Sequence, residues 1–197
     1  MEPFHRFASN AVPIPRVNCD TDQIIPARFL QKLRSDDFGH YLFADERFDG
    51  KGAVRPAHIL NRAPYDTARI MLGGRNFGCG SSREHAVWAL YDFGIRAVIA
   101  PSFGDIFAAN ALKNGLLPVV LPEAVTAPLA ERLAEAPDLQ IVIDLAEQTV
   151  LLPDGSSHRF EVDPFAKHCL VNGIDELGYT LGQADLITCF EKHHEQP

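Results

Sequence analysis

The amino-acid sequence predicts an α/β domain with a central βαβαβ unit. Between Ala68 and Leu121, short apolar runs typical of buried strands alternate with segments of helical periodicity, and the connections are short. Parallel strands need helical crossovers, so this alternation favours a parallel sheet. With 197 residues, 46% of them hydrophobic and 22% charged, the chain has enough apolar material for a single domain over residues 1–197.

The elements of this unit follow one another in a regular order. Glycines at 94 and 115 follow the two helical segments and are expected to end them. The predicted elements are a strand at Ala68–Leu72, a helix at Arg83–Phe93, a strand at Ala97–Ala100, a helix at Asp105–Asn114 and a strand at Leu117–Leu121.

A β-meander is predicted to follow this unit. After a helix over Glu123–Glu135, strand patterns occur at residues 139–145, 149–152 and 158–162, and turn residues join the last two. Between Pro164 and His194 the sequence predicts two short helices separated by Gly173.

Two segments lack a regular pattern. Residues 31–64 are rich in Asp, Gly, Arg and Phe, and we expect a mobile loop there, because irregular stretches of this length in compact domains are functional or mobile. Residues 193–197 are polar and are expected to fray.

Composition excludes several classes of protein. The net charge of −8 and a pI near 5.4 argue against a nucleic-acid partner. The sequence contains no long apolar run and begins without a cationic leader, which predicts a soluble, cytoplasmic protein without a membrane partner. The four cysteines are widely spaced, so we expect reduced thiols and no metal site in this chain.

A glycine-rich segment, residues 73–86, joins a predicted buried strand to a predicted amphipathic helix. Its position at the carboxyl end of a strand is where open α/β sheets bind ligands. Glycines allow close approach of the backbone, free N–H groups at a helix start favour anions, and Arg83 adds a cation with the geometry to bind carboxylate. The segment therefore predicts a carboxylate site.

A second interpretation of this segment is purely structural. The spacing of Ser81 and Glu84 before apolar helix positions is that of a helix capping box. Phosphate-binding loops, dinucleotide fingerprints and the nucleophile elbow of serine hydrolases require residues that the segment lacks. From the residues alone, the segment is consistent with both a carboxylate site and a capping box.

The stretch Asn-Phe-Gly-Cys-Gly-Ser-Ser-Arg-Glu-His-Ala at 76–86 resembles the signature of the swivelling domain of the aconitase superfamily. The resemblance continues, in order and spacing, through residues 18–26, 102–107, 114–118 and 172–178. In the bacterial isopropylmalate isomerase branch, this domain is a separate small subunit. The resemblance implies a swivelling-type β/β/α fold and a larger partner subunit.

The resemblance also implies roles for individual residues. Ser81 matches the base that moves the carbon-bound proton as an alkoxide, and Ser82 and Arg83 match groups that hold a substrate carboxylate. Asp22 matches an active-site aspartate, although an Asx-type turn before Ile24 is the structural alternative. A serine base needs strong local stabilisation, since each unit of pKa depression requires about 1.4 kcal/mol.

Further substrate contacts are expected from the same resemblance. A substrate-binding basic residue follows the Asp22 segment in relatives, and both Arg28 and Arg34 are candidates. Leu42 and Phe43 match a loop near the variable group of the substrate, where they would face an alkyl chain or serve as core anchors.

The implied reaction converts 2-isopropylmalate to 3-isopropylmalate by dehydration and rehydration in leucine biosynthesis. The family's iron–sulfur cluster is expected in the large subunit, where its iron acts as a Lewis acid on the dicarboxylate substrate, and no cofactor is expected in this chain despite the nearby Cys79. Two alternatives stay open: a related dehydratase for citramalate, dimethylmalate or homocitrate, and a non-catalytic binding domain.

Overall fold

The computed structural model describes residues 1–34 and 37–194. Its strands are β1 (Phe7–Ile14), β2 (Ile70–Gly73), β3 (Ala97–Ala100), β4 (Leu117–Val120), β5 (Gln140–Asp144), β6 (Thr149–Leu151) and β7 (Ser157–Arg159). Its helices are α1 (Thr21–Ile24), α2 (Ala44–Arg47), α3 (Glu84–Phe93), α4 (Asp105–Lys113), α5 (Glu123–Glu135), α6 (Pro164–Asn172), α7 (Glu176–Gly182) and α8 (Ala184–His194). Short 3-10 turns lie at Ala27–Phe29, Phe38–Tyr41, Ile59–Asn61 and Tyr65–Thr67.

The seven strands form one mixed sheet in the order β4-β3-β2-β1-β5-β6-β7. Strands β1 to β4 pair parallel with one another, with Ile70 opposite Ala97 and Ala97 opposite Leu117. The predicted βαβαβ unit is therefore confirmed as β2-α3-β3-α4-β4. The β-meander is also confirmed, because β5, β6 and β7 pair antiparallel in sequence order.

The central strand, β1, was not among the predicted elements. It pairs parallel with β2 and antiparallel with β5, so it joins the two halves of the sheet. Two of its buried residues are polar, and each is satisfied by a distant partner: the Ser9 hydroxyl accepts from the Arg69 N–H at 3.0 Å, and the Asn10 amide donates to the Pro64 carbonyl at 2.8 Å. Such polar residues obscure the strand pattern in the sequence.

Both faces of the parallel half are covered. Met71 of β2 points into a core formed with α3 and the 38–43 segment, while Ile70 and Leu72 point into a second core against α5. Strands buried on both faces are continuously apolar rather than alternating. This explains why β2 and β3 were recognisable from sequence.

Residues 31–64 form no regular strand or long helix in their described part, but their apolar side chains are packed. Phe38, Leu42 and Leu60 are at most 1% exposed. The buried Arg47 guanidinium donates to the carbonyls of Gly39 and Leu42, at 2.9 and 3.1 Å, and so ties the segment together. The mobility expected for this loop stays a prediction.

The C-terminal region contains three helices, not the two predicted. Gly173, with φ of +68°, separates α6 from α7 as expected, but a second break at Gln183 separates α7 from α8. Helix α8 continues to His194, and residues 195–197 of the tail expected to fray lie outside the described residues. Within residues 1–34 and 37–194, no helix is both long and apolar enough to cross a membrane.

Candidate active site

Three loops meet at the carboxyl edge of the parallel strands. The loop after β2 lies between the loop after β1 and the loop after β3, with bridges between Asp20 and Cys79 and between Phe77 and Phe103. The Gly78 N–H donates to the Cys19 carbonyl at 2.7 Å, and the Gly104 N–H donates to the Phe77 carbonyl at 2.9 Å. The loop between β2 and α3 is therefore held from both sides.

Glycine is required where these loops cross α4. Gly78 has φ of +72°, and a Cβ built there would lie 2.2 Å from the Phe107 ring. A Cβ is thus excluded twice, by backbone conformation and by contact. After this close approach to α4, the next residues of the segment, Gly80 to Ser82, lie at the surface.

Ser81 and Ser82 are exposed at the tip of this loop. Ser81 borders an open cavity of about 300 Å³, which is also lined by Gly80, Cys79 and the start of α4. The Ser81 carbonyl accepts a hydrogen bond from the Thr21 hydroxyl at 3.1 Å, so the backbone of the loop is anchored while its serine side chains stay at the surface.

The capping-box interpretation of this segment is wrong. Helix α3 begins at Glu84, its N-cap residue is Arg83, and no side-chain hydrogen bond caps it. The Glu84 carboxylate instead accepts from the Asn114 amide at 2.7 Å, at the end of α4. Tertiary contacts with α4 therefore replace the local cap, and the Ser81 hydroxyl is not used to start the helix.

Asp22 and Arg83 are brought together. The Arg83 guanidinium donates to the Asp22 carboxylate, with 16% of the Arg83 side chain and 53% of the Asp22 side chain exposed. The capping role at this position belongs to Asp20, whose carboxylate accepts from the Gln23 N–H at 2.8 Å. Asp22 is thus available to orient Arg83 beside Ser81 and Ser82.

The two candidate arginines have different surroundings. Both Nη atoms of Arg34 donate to Asp92, at 2.7 and 2.9 Å, near the end of α3 that lies away from Ser81. Arg28 pairs with Asp45 at 2.5 Å, which raises the pKa of Arg28 and lowers that of Asp45. Arg28 also lines an open cavity of about 600 Å³, together with aromatic side chains.

Leu42 and Phe43 are core residues. They are 0% and 1% exposed and pack with Ile24 of α1, and the Phe43 N–H donates to the Ile24 carbonyl at 2.8 Å. Of the two roles considered for them, burial favours that of anchors for the segment that supports α1, and the contact with a substrate alkyl group stays a prediction. An alkyl group of a substrate would meet them only after this segment had moved.

His85 and Cys79 lie close to the loop. The His85 ring packs against Phe38 and Trp88, and burial lowers its pKa. Cys79 borders the same cavity as Ser81. In the described part of the chain, no three His, Cys, Asp or Glu residues converge as metal ligands, so the donor set does not fit a cluster.

Two residues important for this geometry were not recognised from sequence. Thr21 holds the Ser81 carbonyl, and Asn114 joins Glu84 to Trp88, whose indole N–H donates to it at 3.0 Å. Both lie within the segments that carry the family resemblance, which was the available signal. Their partners are distant in sequence, so a role for either required the fold.

Comparison with known proteins places this geometry in context. The model of the aconitase C-terminal domain family matches residues 1–124, and a second model, LeuD_N, matches residues 127–164. The 3-isopropylmalate dehydratase small subunit of Anaeromyxobacter sp. (strain K) is 51% identical over 191 residues, covering 97% of this chain and 98% of that protein. The small subunit of Chloroflexus aurantiacus is 49% identical over 197 residues, covering 100% and 98%.

A solved structure supports the same relationship. The crystal structure of 3-isopropylmalate dehydratase (leuD) from Methanocaldococcus jannaschii superposes with a TM-score of 0.63 and 27% sequence identity. The match covers 94% of this chain and 99% of that chain. The shared fold therefore extends over nearly the full length of both proteins.

Proposed function

The chain belongs to the aconitase C-terminal domain family as a small subunit of 3-isopropylmalate dehydratase, and on this premise we propose that Ser81 is the base that moves the carbon-bound proton. The enzyme is a hydro-lyase of leucine biosynthesis that isomerises 2-isopropylmalate to 3-isopropylmalate by dehydration and rehydration. It works with a large subunit, so this chain provides part of the active site.

One observation carries the assignment of Ser81. Its hydroxyl lies at the exposed tip of an anchored loop, beside Arg83, and is not used to cap α3. A serine alkoxide needs nearby positive charge and N–H groups to form near neutral pH. The Arg83 guanidinium and the free N–H groups at the start of the ten-residue helix α3 are the sources that the chain offers.

Ser81 exchanges one proton with the substrate carbon in each direction of the reaction. The Ser81 alkoxide accepts the proton from the substrate carbon, and the electron pair of the broken C–H bond forms the double bond as the C–O bond breaks. The departing hydroxide becomes water by taking a proton from a general acid, which we assign to the large subunit. Rehydration runs in the opposite sense, with the Ser81 hydroxyl returning the proton to carbon. We assign the iron–sulfur cluster to the large subunit, where it supplies Lewis-acid chemistry for the hydroxyl group.

Substrate orientation is assigned to Ser82 and Arg83. Arginine has several N–H donors, so Arg83 can keep Asp22 as a partner and still donate to a substrate carboxylate. Asp22 limits the positions open to that guanidinium. We assign the additional basic contact to Arg28 rather than Arg34, because Arg28 lines an open cavity whereas both Nη atoms of Arg34 are held by Asp92.

We also propose that the protein acts in the cytoplasm, as a soluble heteromer with the large subunit. Its net charge of −8 is poorly suited to a phosphate backbone, which argues against a nucleic-acid partner. Retention of Ser81, Ser82 and Arg83 favours catalysis over a purely binding role.

The test is an assay of the assembled enzyme. The chain is co-expressed with its large subunit, the cluster is reconstituted under anaerobic conditions, and turnover of 2-isopropylmalate is measured for wild type and Ser81→Ala. We expect kcat to fall by about 10²- to 10⁴-fold, the range for loss of a general base. Ser157→Ala, at the exposed first residue of β7, is the matched control and should retain full activity.

The outcomes separate the parts of the proposal. Full activity of Ser81→Ala would remove the assignment of the base but not that of the enzyme. Turnover of citramalate, dimethylmalate or homocitrate in preference to 2-isopropylmalate would change the substrate. Inactivity of the wild-type heteromer on every diacid would remove the catalytic role.

A further inference from the structure

We infer that Thr21 is a positioning residue for Ser81, and this inference rests on the proposed role of Ser81 as the base. Thr21 lies in α1, far from Ser81 in sequence, and is 1% exposed. It does not reach the surface where a substrate would bind, so its effect on catalysis passes through the loop that carries Ser81.

Thr21 makes two hydrogen bonds to that loop. Its backbone N–H donates to the Cys79 carbonyl at 2.9 Å, and its hydroxyl donates to the Ser81 carbonyl at 3.1 Å. The two accepting carbonyls lie on either side of Gly80, which has φ of +97°. Thr21 thus holds one peptide group on each side of Gly80. Without these bonds, the backbone would rotate more freely at this glycine.

Because the peptide group is planar and trans, these two hydrogen bonds also set the direction of the neighbouring N–H groups. In a trans peptide, the N–H of the next residue points away from the carbonyl. Because the Cys79 and Ser81 carbonyls point towards Thr21, the N–H groups of Gly80 and Ser82 point away from it. Thr21 therefore fixes which side of the loop presents N–H groups, and it sets the backbone from which the Ser81 side chain projects.

The neighbours of Thr21 act on the same loop in different ways. The Asp20 carboxylate caps α1, and the Asp20 backbone forms a β-bridge with Cys79. The Asp22 carboxylate accepts a hydrogen bond from the Arg83 guanidinium. The short helix α1 thereby fixes the backbone on both sides of Gly80 and also the Arg83 guanidinium. The hydroxyl is the part of the buried Thr21 side chain that bonds to the Ser81 carbonyl, so we assign the choice of Ser81 geometry to this group.

The experiment compares Thr21→Val, Thr21→Ala and Thr21→Ser in the reconstituted heteromer with 2-isopropylmalate. Loss of the hydroxyl in the first two should lower kcat by about 10- to 100-fold, the range for a slightly misplaced catalytic group, with a smaller change in KM. Thr21→Ser keeps the donor and should restore most of kcat. Thr126→Val is the matched control, since Thr126 is also buried and its hydroxyl also bonds to a backbone carbonyl.

A kinetic isotope effect distinguishes positioning from general damage. With substrate deuterated at the carbon that loses its proton, a misplaced base makes proton transfer more rate-limiting, so the isotope effect on kcat should increase in Thr21→Val and Thr21→Ala. It should stay at the wild-type value in Thr21→Ser and Thr126→Val. Assembly of each variant with the large subunit is checked by size-exclusion chromatography.

Several results would overturn the inference. Wild-type kcat and isotope effect in Thr21→Val, with Ser81→Ala inactive, would remove the role of Thr21 and leave Ser81 as the base. If the valine and alanine variants do not assemble, a loss of kcat in a well-assembled Thr21→Ser would contradict the role assigned to the hydroxyl, and a wild-type value would support it. Activity of Ser81→Ala would remove the proposed base itself.

Discussion

The Asp22 carboxylate accepts a hydrogen bond from the Arg83 guanidinium, and this ion pair joins α1 to the residue that precedes α3. The arginine side chain is mostly buried and the aspartate is half exposed. One partner is thus held largely within the protein and the other is accessible to solvent. The pair orients a cation without enclosing it.

Replacing Asp22 by asparagine removes the charge of this pair. We expect kcat/KM to fall by about tenfold or more, because Arg83 loses its charge-assisted contact and its fixed orientation. Stability should change by less than about 1 kcal/mol, because the Asp22 carboxylate is half exposed and its ion pair is screened by solvent. Asp20→Asn is the control, since asparagine caps helices as well as aspartate does, and equal losses in both variants would argue against the ion pair.

Gly78→Ala should both destabilise the protein and reduce activity. The new Cβ would collide with the Phe107 ring and would force an unfavourable positive φ. We expect a loss of about 2–4 kcal/mol in the free energy of unfolding, from overpacking and backbone strain together. Gly155→Ala has φ of +86° but open space around its Cβ, so denaturant titration should give a clearly smaller loss. Equal losses would show that contact with Phe107 is unimportant.

Asn114 should contribute to the free energy of unfolding, whereas the Glu84 carboxylate should not contribute to kcat. Asn114→Ala leaves the Trp88 indole N–H and the Glu84 carboxylate without their partner, and we expect a loss of about 1–3 kcal/mol. Trp88 is the single tryptophan of the chain, so its fluorescence reports on this contact directly. Glu84→Gln keeps an acceptor for Asn114 and should retain activity; a large fall in kcat would place Glu84 in the catalytic machinery.

The cysteines should react at very different rates. Cys19 is fully buried, and burial raises the pKa of its thiol to about 12, whereas Cys189 is exposed on α8. Thiolate is the reactive form, so a thiol reagent at pH 8 should modify Cys189 and leave Cys19 intact until the protein unfolds. Mass spectrometry of the modified protein checks this, with Cys189→Ser as control. Rapid modification of Cys19 in the native protein would contradict its burial.

Stability should decrease on acidification below about pH 6.5. Burial lowers the pKa of His58 in the folded protein, so the unfolded chain binds a proton first as the pH falls through the ordinary histidine value. Arg16 similarly lowers the pKa of Glu46, whose contribution is present above its ordinary value of 4.5 and is lost at lower pH. Unfolding titrations between pH 7.5 and pH 5 test the histidine effect.

The His58→Asn variant isolates that histidine effect. Asparagine can still accept the Leu60 N–H that His58 accepts at 3.2 Å, but it does not titrate. The fall in stability between pH 7.5 and pH 5 should therefore be smaller in the variant. His85 is partly buried and its pKa is lowered in the same way, so it should account for part of what remains. An unchanged pH dependence would assign the effect to other groups.

The parallel half of the fold was predictable because its strands are apolar on both faces and its helices end at glycines. The central strand β1 was not predictable, because Ser9 and Asn10 look unfavourable for a buried strand until Arg69 and Pro64 are known to satisfy them. The third C-terminal helix was missed for another reason. The break at Gln183 follows Gly182 within a continuous amphipathic pattern, and that pattern does not locate the break.

The candidate site was also only partly predictable from the sequence. The family signature located Ser81, Ser82 and Arg83, but the local capping pattern predicted the wrong start for α3, because Glu84 binds Asn114 at the end of another helix. Arg28 and Arg34 could not be distinguished from sequence. Their environments are set by partners that only the fold brings near, Asp45 in one case and Asp92 in the other.

The position of β1 also constrains how the chain is assembled during synthesis. This strand is synthesised before β2 and can pair with it as soon as β2 has been made. Its other edge must wait for β5, which is made after β2, β3 and β4. Until β5 has been made, the nascent chain therefore carries an open strand edge in the middle of its future sheet, a template for unwanted pairing with other chains. A chaperone that shields this edge would increase the yield of folded subunit without altering its stability.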